Sequence, residues 1–123
     1  MNRDTWVRDL FRCVDAKDSD GWLEFLAPDA CFRFGNGAVV EGKSAIREAV
    51  TGFFASISSL RHELAETWNH PGSVICRGEV TYTRLDGSTL TIPFVNVLKL
   101  DGSLIGDYLI YADTSELYSP PTG

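Results

Sequence analysis

Two Asp-Gly dipeptides, Asp86-Gly87 and Asp101-Gly102, lie in the second half of this chain of 123 residues. An Asp-Gly pair between runs of alternating apolar and polar residues is typical of the tight turn of a β-hairpin. The two turns therefore predict three long antiparallel strands, at residues 73–84, 89–100 and 103–113. Because side chains alternate between the two faces of a strand, the register of the hairpins decides which residues meet.

The register that we predict brings polar residues into one row. If both turns are two-residue loops, Asn96 faces Arg77 on one side and Asp107 on the other, with Glu79 beside the row. Charged and amide groups are costly to bury unless they are paired, and polar groups in an apolar setting are typical of a small-molecule site. The row is therefore our candidate catalytic site.

Each member of the row has a functional and a structural interpretation. Asp107 is the candidate general acid or base, or else a carboxylate that neutralises Arg77. Arg77 orients the acids or binds an anionic group, or else forms an ion pair on the sheet surface. Glu79 shares a proton with Asp107 or balances Arg77. Asn96 donates to a developing oxyanion, or satisfies its neighbours in the sheet.

Other candidates surround this row. His62 lies opposite Glu79 if residues 69–72 form a four-residue loop, and is then a candidate acid–base partner. The remaining candidates are apolar or aromatic residues that belong to the core unless a pocket opens between them, in which case they line it: Phe32, Phe34, Phe94, Leu109 and Tyr111. The opposite strand faces, with residues such as Val74, Val80 and Val95, are too apolar for open water and predict a homodimer through the sheet.

The first half of the chain reads as three helices and two strands. Apolar residues at helical spacing predict a first helix around Trp6 to Val14, and Asp18 or Ser19 caps a shorter second helix that Pro28 ends. A third helix is predicted from Gly42 to about Ile57, and strands at 30–34 and 60–68. Helices followed by an antiparallel run of strands predict an α+β fold.

Composition limits the classes of function. The net charge is −6 and the eleven Lys and Arg residues are scattered, which argues against a nucleic-acid partner. The three cysteines match no zinc or disulfide spacing, no metal cluster or Gly-rich phosphate loop is apparent, and we expect no cofactor. No apolar stretch resembles a signal peptide or membrane span, so we expect a cytoplasmic protein, with one domain over 1–118 and a loose tail over 119–123.

Several segments resemble one known family. The segments Phe25–Ala30 and Glu41–Ile46, together with Ile92–Asn96 and the ending Ile105–Asp113, are similar to the SnoaL-like branch of the NTF2-like superfamily. That superfamily also includes ketosteroid isomerase and limonene-epoxide hydrolase. The resemblance implies a cone-shaped α+β barrel, with three N-terminal helices packed on a curved, mostly antiparallel sheet, an interior pocket and commonly a dimer.

The resemblance also bears on the reaction. Arg77-Gly78-Glu79 and Asp107-Tyr108 match the acid–arginine–acid set of limonene-epoxide hydrolase, but Phe32 and Phe34 occupy the positions that hold its water. Against ketosteroid isomerase, the base matches Phe34, the tyrosine matches Leu10, and only Asn96 is a polar counterpart. SnoaL-type polyketide cyclases resemble this chain in placing an acid–base group on the last strands, where Asp107 lies.

These observations lead to one functional hypothesis and its rivals. We expect a cofactor-independent enzyme of the cyclase or isomerase type that moves protons on a small apolar molecule. Epoxide hydrolysis is an alternative reaction. A non-catalytic binding protein for a hydrophobic ligand and an interaction domain are alternative classes.

Overall fold

The computed structural model describes residues 3–118. In this part of the chain the helices are α1 (Arg3–Asp15), α2 (Ser19–Leu23) and α3 (Lys43–Ala55). The strands are β1 (Leu26–Phe34), β2 (Val40–Glu41), β3 (Ser59–His70), β4 (Ser73–Thr83), β5 (Thr89–Asp101) and β6 (Leu104–Tyr111). The predicted C-terminal tail, 119–123, lies outside the described residues.

All six strands form one sheet in the order β2-β1-β6-β5-β4-β3. Every pair is antiparallel except β1 with β6, which is parallel. The helices cover one face of this sheet, and the core lies between them and the strands. The predicted α+β fold is confirmed, but the sheet is open, with β2 and β3 at its edges, rather than a closed barrel.

The helices follow the apolar pattern of the sequence. Val7, Leu10 and Phe11 of α1 are buried, as their helical spacing predicts. Asp18 caps α2 by accepting a hydrogen bond from the Gly21 N–H at 3.0 Å. The prediction that Pro28 ends this helix is wrong, because α2 already ends at Leu23 and Pro28 lies within β1. The pairing of β1 with β6 shifts register between Leu26 and Cys31, and this irregular stretch accommodates Pro28, which has no backbone N–H.

The hairpin between β4 and β5 differs from the predicted register by one residue. Its loop has three residues, Leu85-Asp86-Gly87, closed by hydrogen bonds from Gly87 N to Arg84 O at 2.9 Å and from Arg84 N to Ser88 O at 2.7 Å. Gly87 adopts a φ of +89°, which suits the last position of a three-residue hairpin loop. Arg77 is therefore opposite Val95 rather than Asn96, and its side chain points to the other face.

The hairpin between β5 and β6 also changes the predicted pairing. Asp101 pairs with Leu104, and an irregularity then leaves Gly106 unpaired, so that Asn96 is opposite Ile110. One extra residue in a strand reverses the alternation of everything beyond it. The bulge turns Tyr108 towards the helices and Asp107 away from them, opposite to the predicted arrangement.

In β4 and β6 the side chains predicted to point towards the helices therefore point away from them, and the reverse holds for their neighbours. The face under the helices carries Val74, Cys76, Val80, Tyr82 and Tyr108, all buried. For β4 and β6 these are the residues for which the sequence predicted a dimer contact, whereas Val95, which the prediction placed with them, lies on the opposite face. The opposite face, called the outer face below, carries the residues of the predicted row other than Asn96, together with Ile75, Val95, Val97, Leu109 and Tyr111.

Within residues 3–118, none of the helices has the length and apolar character needed to cross a bilayer.

Gly78 is required by the close approach of β3 to β4. A register shift between Leu64 and Glu66 bulges β3 opposite Gly78, and a Cβ at Gly78 would overlap the Glu63 carbonyl oxygen. We predict that Gly78→Ala lowers the free energy of unfolding by about 1–3 kcal/mol, the usual cost of overpacking, in urea titrations.

Gly52 provides the matched control for this change. It lies exposed in α3 with no atom within 4 Å of an added Cβ. Gly52→Ala should therefore stabilise the protein by about 0.5–1 kcal/mol, because alanine favours the helix. Equal effects of the two substitutions would contradict this account of the bulge.

Candidate functional site

A cavity of about 220 Å³ lies between the helices and the inner face of the sheet. Its walls are mostly aromatic and aliphatic, with Phe32, Phe34, Phe53 and Phe94 among them. Gly37 and Ala38, which are exposed, line it on the loop after β1, so the cavity opens there. An apolar cavity with a few polar groups is the usual form of a small-molecule site.

A histidine–carboxylate pair lies on the wall of this cavity. His62 on β3 lines the cavity, and its Nδ1 lies 2.6 Å from Oδ1 of Asp15, the last residue of α1. The backbone N–H of His62 donates to Oδ2 of the same carboxylate at 3.0 Å. Because a carboxylate only accepts hydrogen bonds, this contact places a proton on Nδ1 and leaves Nε2 for a ligand.

Aromatic rings hold the imidazole in place. The Phe11 ring lies 4.7 Å from the His62 ring, and the Phe94 ring meets it edge-on at 5.1 Å between centroids. The His62 side chain is only 10% exposed. The imidazole is therefore largely shielded from water and has a defined orientation, whereas the Asp15 side chain is 26% exposed.

Three more polar side chains, Trp22, Asn96 and Tyr108, line the cavity, and we call them the polar cluster. Each is about 2% exposed. Trp22 lies on α2, Asn96 on β5 and Tyr108 on β6, and the indole and phenol rings are 5.3 Å apart. Trp22 Nε1 and Asn96 Oδ1 are fully buried and make no hydrogen bond of regular geometry.

Burial raises the pKa of the Tyr108 phenol well above its ordinary value. The negative charges that Cys76 and Asp15 can carry act in the same direction, whereas hydrogen bonding by the Trp22 and Asn96 side chains lowers the pKa of Tyr108. Tyr108 therefore stays a neutral hydrogen-bonding group at physiological pH. Burial likewise raises the pKa of Tyr82, also on the cavity wall, and that of the Cys76 thiol to about 12.

The structure places most of the predicted binding residues on the cavity: Asn96, His62, Phe32, Phe34 and Phe94. Leu109 and Tyr111 lie instead on the outer face. His62 is opposite Val80 rather than Glu79, because the β3–β4 turn has two residues and β3 contains a bulge. His62 lines the cavity, but the predicted pairing with Glu79 is wrong.

The predicted catalytic residues Arg77, Glu79 and Asp107 do not line the cavity. Arg77 is exposed on the outer face and pairs with Glu66, with Nη2 and Oε1 2.6 Å apart. Glu79 is exposed on the same face, and Asp107 is opposite Lys99. The predicted row is therefore not formed. The three-residue loop turns the Arg77 and Glu79 side chains of β4 to the outer face, and the Gly106 bulge does the same for Asp107 of β6.

Asp15, Trp22 and Tyr108 were absent from the predicted site. One signal for Asp15 was available, since it continues the apolar stripe Val7–Phe11 by one more turn and a carboxylate on that stripe needs a partner. Nothing in the sequence pairs it with His62, which is 47 residues away. Among residues 3–118, no group of three or more His, Cys, Asp or Glu side chains is placed to hold a metal ion.

Comparisons with known proteins show the family of this chain. A family model described as a SnoaL-like domain matches residues 7–108. The chain belongs to the SnoaL-like domain family. A comparison with curated proteins returned no match.

Solved structures extend the family assignment to the fold. An NTF2-like protein of unknown function from Burkholderia pseudomallei superposes with a TM-score of 0.87 at 20% identity, covering 100% of this chain and 99% of that one. TerC, co-crystallised with polyporic acid, superposes with a TM-score of 0.79 at 19% identity, covering 91% of this chain and 92% of that one. A putative SnoaL-like polyketide cyclase from Jannaschia superposes with a TM-score of 0.76 at 17% sequence identity, covering 94% of this chain and 92% of that one. At these identities the similarity concerns the fold.

The raised tyrosine pKa values predict a loss of stability in alkali. The folded SnoaL-like protein keeps the Tyr108 and Tyr82 protons above pH about 10, where the unfolded chain loses them, so the free energy of unfolding falls as pH rises through that range. We expect Tyr108→Phe to reduce this fall in urea titrations between pH 8 and 11.

Tyr111→Phe is the control, because Tyr111 is 58% exposed on the outer face. It should leave the pH dependence as in the wild type. An unchanged alkaline slope in Tyr108→Phe would refute the effect of burial on this phenol.

Proposed function

We propose that this SnoaL-like protein is an enzyme that moves a proton on a small, mostly apolar molecule, by isomerisation or ring closure, without a cofactor. The observation that carries the proposal is the Asp15–His62 pair on the wall of the apolar cavity. This assigns the acid–base role to His62 and Asp15 in place of Asp107.

The pair supplies the parts of a general base. With Nδ1 donating to Asp15, neutral His62 offers the Nε2 lone pair to a substrate C–H or O–H. The carboxylate stabilises the imidazolium that forms and keeps the ring oriented. Returning the proton to another atom of the same molecule completes an isomerisation or cyclisation, so the proton balance needs no co-reactant.

The position of Asp15 favours a functional role over a structural one. A helix carries partial negative charge at its C-terminus, and Asp15 is the last residue of α1. A carboxylate there is opposed by the helix dipole. Both of its oxygens instead accept hydrogen bonds from His62, one from the ring and one from the backbone N–H.

Cavity size supports a small substrate. Pockets for drug-sized ligands measure roughly 300–1,000 Å³, whereas this cavity measures about 220 Å³. A known engineered cavity of about 150 Å³ holds benzene. The volume therefore suits one substituted ring better than several fused rings. TerC, which was co-crystallised with polyporic acid, and the putative polyketide cyclase from Jannaschia support an organic ligand for this fold.

An epoxide-hydrolase-like reaction has less support. The acid–arginine–acid set that such a reaction requires would be Asp107, Arg77 and Glu79, and these residues lie away from the cavity.

A proton-exchange assay tests the enzyme proposal without knowledge of the natural substrate. We expect wild-type protein to accelerate exchange of the methyl protons of acetophenone with D₂O, followed by NMR. His62→Gln should lower this acceleration by about 10²–10⁴-fold, the usual contribution of a general base. Asp15→Asn should lower it as well, because the amide no longer favours the imidazolium.

Asp107→Asn is the matched control for Asp15→Asn and should exchange at the wild-type rate. Loss of exchange in the Asp107 variant with full exchange in His62→Gln would reverse our assignment. Binding of acetophenone without any accelerated exchange in the wild type would favour the non-catalytic binding protein instead. Thermal melting of each variant confirms that it is folded.

We also propose a homodimer through the outer face, rather than through the surface predicted from the sequence. Trp68, Ile75, Val97 and Leu109 lie side by side across four strands there, and Trp68 is 46% exposed. Both signs of charge border this apolar row, with Arg33 and Arg77 as well as Glu66 and Asp107. A face with both signs suits a second copy of itself better than a nucleic acid.

Val97→Glu tests this dimer, because it places a charge in the middle of the apolar row. We expect wild-type protein to have the solution mass of a dimer and Val97→Glu that of a monomer, measured by light scattering. Val39→Glu, at a residue that is 53% exposed near the cavity mouth, should remain dimeric. A monomeric wild type at high concentration would refute the dimer.

The predicted cytoplasmic location remains a proposal, which the three free cysteines support.

A further inference from the structure

The turn that follows helix α1 has a strained backbone. Lys17 has a φ of +56° and is the one residue other than glycine with a positive φ among residues 3–118. Its N–H donates to the Val14 carbonyl oxygen at 2.9 Å, and the Asp18 N–H donates to that of Cys13 at 2.8 Å. These two hydrogen bonds form a Schellman motif, in which the left-handed position is usually glycine. Strain of this kind is most often found where a side chain has a function.

The Lys17 side chain makes a contact that glycine cannot make. Its Nζ donates a hydrogen bond to the backbone carbonyl oxygen of Ile57 at 2.8 Å. Ile57 is buried and lies between α3 and β3, 40 residues further along the chain. Glycine would suit the backbone of this turn but has no side chain that reaches another element. The contact therefore attaches the end of α1 to the segment that leads into β3.

This contact lies close to the acid–base pair on both elements. Lys17 is two residues after Asp15, and Ile57 is five residues before His62. The end of α1 is thus attached at two points, by the Lys17 amine on Ile57 and by the Asp15 carboxylate on His62. Two attachments fix the direction of a helix end as well as its position, whereas one allows it to pivot. A pivot of α1 would disturb the 2.6 Å contact between Asp15 Oδ1 and His62 Nδ1.

We infer that Lys17 is a positioning residue for the Asp15–His62 pair. Its amine holds the last turn of α1 where the Asp15 carboxylate can orient the imidazole. Lys17 is not among the described residues that line the cavity, so it acts through Asp15 and not on the substrate. The inference rests on the proposed function for its effect on turnover. Its effect on the orientation of His62 is measured without a substrate.

Lys17→Met removes the amine but keeps the length of the side chain and the strained backbone. In the acetophenone exchange assay, we expect this change to lower the rate at saturating acetophenone about tenfold, since a misplacement of about 1 Å can cost up to 10²-fold. The dissociation constant of acetophenone, measured by calorimetry, should stay as in the wild type. Lys17→Arg, which keeps a long cationic donor, should recover most of the rate.

Two further variants control for charge and for stability. Lys43→Met removes the same charge at the start of α3 and should exchange at the wild-type rate. Lys17→Gly relieves the strained backbone, so it should melt at a higher temperature than Lys17→Met. Because it lacks the amine, it should nevertheless lose exchange to the same extent. A lysine with a merely structural role would instead give rates that follow the melting temperatures.

The tautomer of His62 gives a readout that does not depend on catalysis. The chain has two histidines, and His70 is exposed at the end of β3, so each imidazole can be followed separately by ¹⁵N NMR. In mildly alkaline buffer we expect wild-type His62 to be a single tautomer with its proton on Nδ1. Lys17→Met should show a mixture of tautomers at His62, with the His70 signals unchanged. If Lys17→Met fails to fold, Lys17→Gly gives the same readout.

The tautomer of His62 decides the inference. A single tautomer in Lys17→Met, or a mixture already in the wild type, overturns the positioning by Lys17, as does an equal loss of exchange in Lys43→Met. A wild type without exchange refutes the proposed function, and the tautomers then still decide the role of Lys17. A mixture in Lys17→Met with an unchanged exchange rate supports the positioning of His62 and refutes the pair as the acid–base group.

Discussion

The alternation of side chains across the β4–β5–β6 meander is the constraint on which the cavity depends. Gly87 in its left-handed conformation sets a three-residue loop, and the unpaired Gly106 adds one residue to β6. Each feature decides which alternate side chains of a strand point towards the helices. With both in place, Asn96 and Tyr108 enter the cavity while Arg77 and Asp107 leave it.

Helix α1 supplies the carboxylate that pairs with His62 of the sheet. The sheet face under the helices carries one imidazole, and the carboxylate that orients it comes from the end of α1. The same contact joins α1 to β3 through both Asp15 oxygens, so it links the packing of the helix to the orientation of His62. A hydrogen-bonded pair of this kind is sensitive to small displacements, which makes the aromatic contacts of Phe11 and Phe94 with His62 part of the site.

Membership of the SnoaL-like family limits the fold more than the reaction, because one fold accommodates many sites. In this chain the acids that resemble those of limonene-epoxide hydrolase face outwards, and Phe32 and Phe34 make apolar walls where relatives have polar groups. The chemistry we propose therefore depends on Asp15, a residue that resemblance alone did not select, and on its contact with His62. Local motif similarity does not report which face a residue occupies.

The sequence by itself determined the α+β class, the helical stripes, the start of the second helix at Asp18–Ser19 and the positions of the three long C-terminal strands. It also named Asn96, His62, Phe32, Phe34 and Phe94 as candidates for a pocket. These depend on periodicity and local turn chemistry, which act over a few residues. Only the tertiary structure decided the partners of Arg77 and Asp107 and the meeting of Asp15 with His62. A loop longer by one residue and a single bulge reverse a whole strand face, and neither is distinguishable from an Asp-Gly pair alone. The helix–sheet contact joins residues far apart in the chain, and packing against the completed sheet brings them together.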